Sequence, residues 1–344
     1  MLDQLDGGAK TLRLLVGDNE IALTNLDKVM WPKIRGQRAL TKRDLLVYFA
    51  GVAPVLLPQL RDRPLTLTRY PNGIEGDYFY QKHNEQAPPF VETIGVYANN
   101  RDQQFMLCNN LGTLLWLGQV ADLALHTSLA RVDPEPDGHL HSTQFTGSKE
   151  QIEASLLNYP DFVLFDLDPY IYSGKEGAGE EPELNRKAYH TTVQVAQWLK
   201  ELLDAASLSS FVKTSRAMGL HIYVPVLRNF DYAVIRSIAE TLGGFLVRAY
   251  PREVTMEWSV EKRAGKVFFD ANQNARIKNL ASAYSPRAKP GAPVSMPLRW
   301  DELDDVYPTD FTILTAPDRI ESAGDLWAGI LDAKHDIRAL IDSA

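Results

Sequence analysis

The sequence predicts an α+β fold in which mixed β-sheets are flanked by helices. Short apolar runs typical of strands recur along the 344 residues. Long amphipathic helices separate some of these runs, and tight turns join others into hairpins, so parallel and antiparallel pairs are both expected. With 45% hydrophobic residues and neither repeats nor a clear linker, the chain can bury one large core. We therefore expect a single domain over residues 1–344.

The N-terminal part is predicted to begin with a hairpin and a helix. Apolar residues alternate through residues 11–25, which is the pattern of two short strands around a turn. Thr41 and Asp44 have the spacing of a capping box and indicate a helix start. Because proline interrupts helical hydrogen bonding, we expect that helix to end near Pro54 or Pro58.

Strands and helices then alternate irregularly to the end of the chain. Residues 65–69 and 78–82 are predicted as strands joined by the turn Pro71-Asn72-Gly73. The remaining elements, predicted from apolar runs and helical spacing, are a strand at 105–107, a helix at 111–120, a strand at 124–128, a helix carrying Tyr189 to Leu203, strands at 211–214 and 221–226, a helix at 231–247, a strand at 267–269 and an outer helix at 325–341.

Two polar segments interrupt this pattern. Residues 132–158 are rich in Pro, Asp and Gly at first and only briefly helical, so we expect an excursion from the core. His139 and His141 lie there, and a solvated loop explains them better than a metal site. Residues 174–185 are too charged for a core and are predicted as a second loop.

Composition and charge limit the functional class. The single cysteine excludes an intrachain disulfide, and the N-terminus lacks the basic and apolar regions of a signal peptide. The apolar stretch 45–57 is interrupted by Gly51 and Pro54 and is too short to span a bilayer, so a cytoplasmic protein without a membrane partner is expected. Net charge is −8, yet residues 28–43 and 262–289 are strongly basic, which favours a polyanion site.

A pair of aspartates stands at the end of the most apolar strand. Phe162 to Phe165 is an unbroken apolar run, and Asp166 and Asp168 follow it. Side chains two residues apart on a strand point to the same face, so the carboxylates repel each other unless a cation joins them. Mg²⁺ and Mn²⁺ prefer oxygen ligands, although aspartate is also common at strand ends as a cap.

Further candidates stand at other strand ends. Asp270 ends a third apolar strand and would complete a two-metal site for phosphoryl transfer. The turn from Ser215 to His221 could present a hydroxyl and backbone N–H groups to a phosphate. The guanidinium groups of Arg263, Arg276 and Arg287 suit oxyanions.

These motifs resemble the archaeo-eukaryotic primase superfamily, specifically the polymerase domain of bacterial ligase D and its stand-alone relatives. The resemblance rests on Phe-Asp-Leu-Asp-Pro at 165–169, Lys-Thr-Ser-Arg-Ala-Met-Gly-Leu-His at 213–221, and Arg-Ala-Gly-Lys-Val-Phe-Phe-Asp at 263–270. It extends over residues 20–305, leaving 305–344 as a helical extension. The implied structure is a primase-polymerase fold with the catalytic site in a cleft between its sheets.

The resemblance implies a template-dependent nucleotidyltransferase that fills short gaps or extends DNA ends during repair, often with ribonucleotides. Two Mn²⁺ or Mg²⁺ ions would be held by Asp166, Asp168 and Asp270. The remaining implied roles are nucleotide binding by His126, Ser215, His221, Arg263, Gln273 and Arg287, stacking on bases by Phe79 and Tyr80, and DNA binding by Asn25, Lys28, Lys42 and Lys82, of which Asn25, Lys28 and Lys42 would meet the 5′-phosphate of a gap.

The implied partners are primer-template or gapped DNA, NTP or dNTP substrates, an end-binding protein and a separate DNA ligase, since no Lys-x-Asp-Gly motif occurs. The expected location is the cytoplasm, at the nucleoid. Thr68 and Met218 stand where relatives often have lysine, and Arg216 is a possible substitute. Two alternatives remain: a catalytically weak module that binds DNA ends, and a haloacid-dehalogenase-like phosphatase, whose nucleophile motif also has the form Asp-x-Asp.

Overall fold

A computed structural model describes residues 4–5, 7–170, 185–215, 218–276 and 278–338. Its helices are α1 Lys42–Leu60, α2 Leu111–Gln119, α3 Lys149–Glu153, α4 Arg186–Ala205, α5 Tyr232–Ala249 and α6 Ala316–Ala323. Its strands are β1 Leu12–Val16, β2 Asn19–Leu23, β3 Val29–Trp31, β4 Leu40–Thr41, β5 Leu65–Arg69, β6 Phe79–Gln81, β7 Thr93–Ala98, β8 Arg101–Met106, β9 Asp122–Thr127, β10 Phe162–Pro169, β11 Phe211–Thr214, β12 Leu220–Pro225, β13 Val254–Thr255, β14 Val267–Asp270, β15 Leu280–Ala281 and β16 Pro297–Leu298.

Two sheets organise the molecule. The larger has six strands in the order β13-β14-β10-β12-β11-β16, and the smaller has four in the order β15-β9-β5-β6. The β13–β14 pair is parallel and its neighbours are antiparallel, which confirms the predicted mixed sheet. β10 lies inside the larger sheet, with six of its eight residues continuously buried from Phe162 to Leu167. Burial on both faces explains its unbroken apolar run.

Three two-stranded ribbons surround these sheets. The predicted hairpin is confirmed as β1–β2, and β3 pairs with β4 beside the start of α1. The third ribbon, β7–β8, turns at Asn99 and Asn100, which both have positive φ angles as tight hairpin turns require. The sequence predicted only the end of β8, because the first four side chains of β8 are polar and carry no apolar pattern.

Helix α1 begins as predicted but ends later. Thr41 and Asp44 form the capping box, and the helix continues through Pro54 and Pro58 to Leu60. Both prolines lie on the exposed face, where water can bind the carbonyl groups that lose their helical partners. By length and composition alone α1 could cross a membrane, contrary to expectation, but ten of its residues are buried in the core, as in a core helix.

Small residues let helices approach closely in the core. Gly118 of α2 packs on α1, where an added Cβ would lie 2.8 Å from Leu46 Cδ2 and 3.2 Å from Phe49 Cδ2. On the other side of the domain, α4 and α5 pack against β10 and hold it from behind. The strand that carries the aspartates is therefore fixed by helices as well as by its neighbouring strands.

The predicted outer helix at 325–341 is wrong over its described part. Residues 325–337 form turns, and the helix of this region is α6, which ends at Gly324 with a φ of 74°. Asp325 explains the difference, because its carboxylate accepts hydrogen bonds from the backbone N–H of Trp327 and the hydroxyl of Tyr284. These bonds fix a turn where the apolar spacing resembled a helix. The loop predicted at 174–185 lies outside the described residues except for Asn185.

A buried ion cluster joins this C-terminal segment to the core. Asp161, which is fully buried just before β10, contacts Arg63 at 2.9 Å, Arg131 at 3.0 Å and Lys334 at 2.7 Å. Arg228 also lies 3.7 Å from Asp161 and pairs with Asp137. Burial alone would raise the pKa of Asp161, but the surrounding cations lower it well below its ordinary value.

Candidate active site

A row of polar side chains crosses the larger sheet. Asp166 on β10 pairs directly with Asp270 on β14 and with His221 on β12, and His221 pairs with Lys213 on β11. Directly opposed residues of antiparallel strands share a face, so all four side chains belong to one side of the sheet. The row gathers two carboxylates, an imidazole and an amine from segments distant in sequence.

Hydrogen-bond distances connect the members of the row. His221 Nε2 lies 3.2 Å from Asp166 Oδ1, and His221 Nδ1 lies 2.9 Å from Lys213 Nζ. Lys213 is fully buried and also donates to Ser295 Oγ at 2.7 Å. Donation from Lys213 to Nδ1 places the imidazole N–H on Nε2, facing Asp166. Burial and then repulsion from Arg287 lower the pKa of Lys213 well below its usual value, while Asp166 acts in the opposite direction.

The turn after β11 closes tightly on the second aspartate. The backbone N–H of Ser215 donates to the carbonyl of Gly219 at 3.0 Å. A Cβ at Gly219 would lie 2.5 Å from Ser215 Oγ and 3.0 Å from Asp168 Oδ1, so only glycine fits between these two polar groups. The Ser215 hydroxyl is buried and has no hydrogen-bond partner among the described residues. It therefore adds a hydroxyl beside the carboxylate of Asp168.

The smaller sheet contributes the opposite wall. His126 on β9 pairs with Thr66 on β5 and Ala281 on β15. Its Nδ1 lies 2.9 Å from the carbonyl oxygen of Ala124 and 3.3 Å from Thr68 Oγ1. A hydrogen on Nδ1 satisfies that carbonyl and leaves Nε2 as an acceptor. Thr68, which stands where relatives often have lysine, thus contacts His126.

The two walls border a polar cavity of about 110 Å³. The position confirms the predicted cleft between the sheets, because its lining comes from both of them. The lining residues are His126, Asp166, Asp168, Ser215, His221, Gln273, Asn279, Leu280, Ala281 and Arg287. We call this space the catalytic cavity. Seven of the nine residues predicted for the metals and the nucleotide line it.

The other two predicted residues, Asp270 and Arg263, do not line the cavity. Asp270 neighbours it, and its carboxylate accepts from the N–H of Asn272 at 2.9 Å and from Gln273 Nε2 at 3.1 Å. Arg263 is buried among aromatic rings, with its guanidinium carbon 3.4 Å from the Phe268 ring centroid. Its nitrogens donate to the carbonyls of Glu257 and Trp258. A nucleotide in the cavity could meet Arg263 only after this cage had opened.

The donor set suits a hard divalent cation. Asp166 and Asp168 line the cavity, Asp270 stands directly opposite Asp166, and all three offer carboxylate oxygens. Within the described residues, no three acidic, histidine or cysteine side chains are gathered closely enough to form a complete ion site. The carboxylate oxygens of Asp270 keep lone pairs that these hydrogen bonds do not use, so Asp270 can still bind a metal ion. The residues fit metal binding by charge and donor type.

Cationic side chains predicted for a 5′-phosphate come together on the N-terminal side. Lys42 is 5% exposed and donates to the carbonyl of Gln119 at 2.8 Å, and Lys28 donates to Asn72 Oδ1 at 2.8 Å. Asn25 is exposed beside them, with its carbonyl accepting from the N–H of Lys28. Burial, followed by repulsion from Lys28 and Arg69, lowers the pKa of Lys42 to about 8. Mutual repulsion of this kind favours an anion.

The predicted stacking residues lie on strand β6 and are accessible. Phe79 is 44% exposed and packs under Arg69 at 5.3 Å, and Tyr80 is 68% exposed on the other face of the strand. Lys82 follows β6 and lies 4.8 Å over the Phe105 ring. Exposed aromatic rings beside cations match a single-stranded nucleic acid.

Sequence reasoning missed Lys213, and it could not show where the side chain of Met218 packs. The lysine stood inside the quoted motif, but its side chain bonds His221 only because β11 and β12 pair. Met218 is buried, and its sulfur lies 3.2 Å from the backbone nitrogen of Asn185 at the start of α4. It packs on the helix and does not line the catalytic cavity. Arg216 lies outside the described part of the chain.

Comparisons with known proteins agree with this architecture. Residues 41–327 match the family model of the LigD primase-polymerase domain. The chain is 30% identical over 311 residues to the multifunctional non-homologous end joining DNA repair protein LigD of Mycobacterium tuberculosis, covering 90% of this chain and 37% of that protein. It is 28% identical over 308 residues to the bifunctional LigD of Bacillus subtilis, covering 89% and 43%. The chain thus spans less than half the length of these curated relatives.

A solved structure matches as well. The polymerase domain of Mycobacterium tuberculosis ligase D in complex with DNA aligns with a TM-score of 0.74 and 30% identity, over 91% of this chain and 98% of that one. The match confirms the predicted fold and removes the haloacid-dehalogenase-like alternative. With a family model covering most of its length and both sheets in place, the chain belongs to the LigD primase-polymerase domain family.

Proposed function

We propose that this protein is a template-directed nucleotidyltransferase that extends a primer strand across short gaps or at DNA ends. One observation carries the proposal: a single cavity between two sheets is lined by Asp166 and Asp168 together with His126, Ser215 and Arg287. Carboxylates and anion-binding groups that share one cavity match a nucleoside triphosphate bound with divalent cations.

In this proposal Asp166, Asp168 and Asp270 hold two Mn²⁺ or Mg²⁺ ions. When bound, the ions activate the attacking hydroxyl and neutralise charge on the leaving pyrophosphate. The protein's own part is orientation: His221 fixes Asp166 from one side, and Gly219 keeps the space in which Ser215 and Asp168 stand together. Gln273 holds Asp270 by its amide in the same way.

The nucleotide is bound by groups from both walls. Arg287 supplies a guanidinium that can bind a phosphate bidentately, and the unpaired Ser215 hydroxyl can donate to another oxygen. With its Nδ1 facing the carbonyl of Ala124, His126 has the tautomer in which Nε2 can accept a hydrogen bond from the sugar. An acceptor at that position favours a ribose hydroxyl, so we propose a preference for ribonucleotides.

DNA is bound on the surfaces beside the cavity. Lys28, Lys42 and Asn25 form a cationic site suited to the 5′-phosphate of the downstream strand, and Phe79 and Tyr80 stack on template bases. The relatives are named for non-homologous end joining, and the matched structure is a complex with DNA. We therefore place the activity in end joining or gap repair, alongside an end-binding protein and a ligase.

The test is a gapped DNA with a labelled primer and a 5′-phosphate, incubated with rNTPs or dNTPs and with Mn²⁺ or Mg²⁺. We expect templated extension by one or a few nucleotides, faster with rNTPs. Asp166→Asn should abolish extension, while Asp301→Asn, which neutralises a highly exposed carboxylate on a 3₁₀ turn, should leave it unchanged. Binding of the gap without extension under every condition would instead support a DNA-end-binding module.

A further inference from the structure

A second cavity lies beside the catalytic cavity, between the smaller sheet and the β7–β8 ribbon. It has a volume of about 50 Å³. Its lining includes Thr66, Lys82, Phe105, Leu157, Arg276 and Asn279. We call it the lateral cavity. No carboxylate lines it, so its two cations face no compensating charge within its walls.

Arg276 is the first sign of an anion site. Its Nη1 atom is closed off from solvent and has no hydrogen-bond partner among the residues that the structure describes. Leaving a charged N–H group buried and unpaired costs free energy that a hydrogen bond to an anion would recover. The described residues offer the Nη1 atom of Arg276 no such acceptor, which points to an acceptor from a bound molecule.

Lys82 is the second sign. Its ammonium group lies over the Phe105 ring, and burial, followed by repulsion from Arg101, lowers the pKa of Lys82. Apolar side chains, including Leu157, form the other walls. A small hydrated anion would contact the two cations but not the apolar walls. An anionic group carried on a sugar and a base would use both.

The lateral cavity also connects two regions already described. Asn279 lines both it and the catalytic cavity, and donates to Thr66 Oγ1 at 2.6 Å. On the other side, Lys82 also lines an open groove that contains Tyr80 and Arg101. Asn279 and Lys82 thus place the lateral cavity next to both the catalytic cavity and the groove. A strand that ends at Asp166 and Asp168 and leaves on this side would pass the lateral cavity.

We propose that the lateral cavity binds one phosphodiester of the primer strand, close to its 3′ end, through Arg276 and Lys82. The strand that must terminate at the aspartates is the one being extended, which selects the primer over the template. This inference rests on the proposed polymerase function. It adds a specific site for the primer backbone to the predicted general DNA contact of Lys82.

The test uses binding alone, so that it stays separate from catalysis. Gapped DNAs carry a single neutral methylphosphonate at each of the last several linkages of the primer, or at the same positions of the template. Their dissociation constants are measured by fluorescence anisotropy for the wild type, Arg276→Gln and Lys82→Met. Arg13→Gln on the β1–β2 ribbon, where Arg13 pairs with Glu20, is the matched control.

We expect one primer linkage at which the methylphosphonate weakens wild-type binding about tenfold, as Arg276→Gln does on natural DNA. Combining the two should weaken binding no further, because both remove the same contact. The slope of log affinity against log salt should fall by about 0.7 in the variant, as for one phosphate on a single strand. Arg13→Gln should show none of these effects.

The proposal would be overturned if the effects of Arg276→Gln and of the methylphosphonate add at every primer linkage. It would also be overturned if they fail to add only at a template linkage. Thermal melting of each variant guards against misfolding, and Lys82→Met provides an independent route to the same linkage if Arg276→Gln is unstable. If the variant and the methylphosphonate are non-additive at one primer linkage but the protein does not extend primers, the polymerase function is refuted and the primer site stands. If the protein extends primers normally but the two changes are additive, the primer site is refuted and the polymerase function stands.

Discussion

Asp161 and Asp166 belong to the same segment of chain, and both are almost fully buried, yet their surroundings are opposite. Asp161 contacts Arg63, Arg131 and Lys334, which neutralise it within the protein. Asp166 stands beside Asp168 and directly opposite Asp270, and the Nε2 atom of His221 lies 3.2 Å from its Oδ1 atom.

The sign of the charges around a buried carboxylate separates a structural role from a functional one. A buried charge is tolerated when cations surround it, and removing it then leaves those cations unpaired. A buried charge beside like charges is destabilised by their repulsion, and a bound cation relieves that repulsion. Burial alone therefore does not distinguish the two, but the sign of the neighbouring charges does.

The largest effect is expected at Asp166. Asp166→Asn should lower the rate of primer extension by at least about a thousandfold, or about 4 kcal/mol of activation free energy, because it removes one of the proposed metal ligands. The fold should be as stable as the wild type or slightly more stable, since repulsion is relieved. Melting with and without Mn²⁺ supplies a second readout: the ion should raise the melting temperature of the wild type more than that of the variant.

Asp161→Asn should have the opposite signature. Leaving the cations of the cluster buried and unpaired should cost about 3–5 kcal/mol of unfolding free energy, measured by urea denaturation. Because the pKa of Asp161 is lowered in the folded state, its contribution is present above the unfolded pKa of about 3.9 and is lost as pH falls below it. A variant of wild-type stability would refute the structural role of the cluster.

Lys213→Met tests whether a buried cation supports Asp166 through its hydrogen bond to His221. Methionine keeps the length of the side chain but removes the donor to His221 Nδ1 and Ser295 Oγ. Loss of a group that orients a metal-ligand partner typically costs 10–100-fold in activity or metal affinity, so extension should fall within about that range. The Mn²⁺ concentration for half-maximal extension should rise, which a purely structural role for Lys213 would not predict.

The smallest effect concerns Lys42 and pH. With its pKa lowered to about 8, Lys42 loses its charge in the folded protein as pH rises through that value. The preference for 5′-phosphate over 5′-hydroxyl gaps should therefore decrease several-fold between about pH 7 and 9, and less in Lys42→Met. The burial of its charge destabilises the fold below about pH 8, and this cost is relieved as pH rises toward the unfolded pKa of about 10.4. A pH-independent preference would assign the phosphate to other groups.

Local chemistry explains what the sequence could predict. The apolar run before Asp166 and the capping box of α1 act over a few residues, and the structure confirms both. The partners of Asp161 and the contact between Lys213 and His221 depend on strand pairing and on side chains far apart in the chain, which no local pattern reveals. The helix end predicted at Pro54 or Pro58 failed for the same reason, because tertiary packing of the buried face stabilises α1 beyond both prolines.

The ion cluster also has a consequence for biosynthesis. Asp161 receives one cation from Arg63, made early, and another from Lys334, made much later. A ribosome that stalls before residue 334 releases a chain in which Asp161 lacks its contact with Lys334. Such a product would unfold more readily and be degraded sooner, so the cluster links the survival of β10 to translation of the segment that carries Lys334.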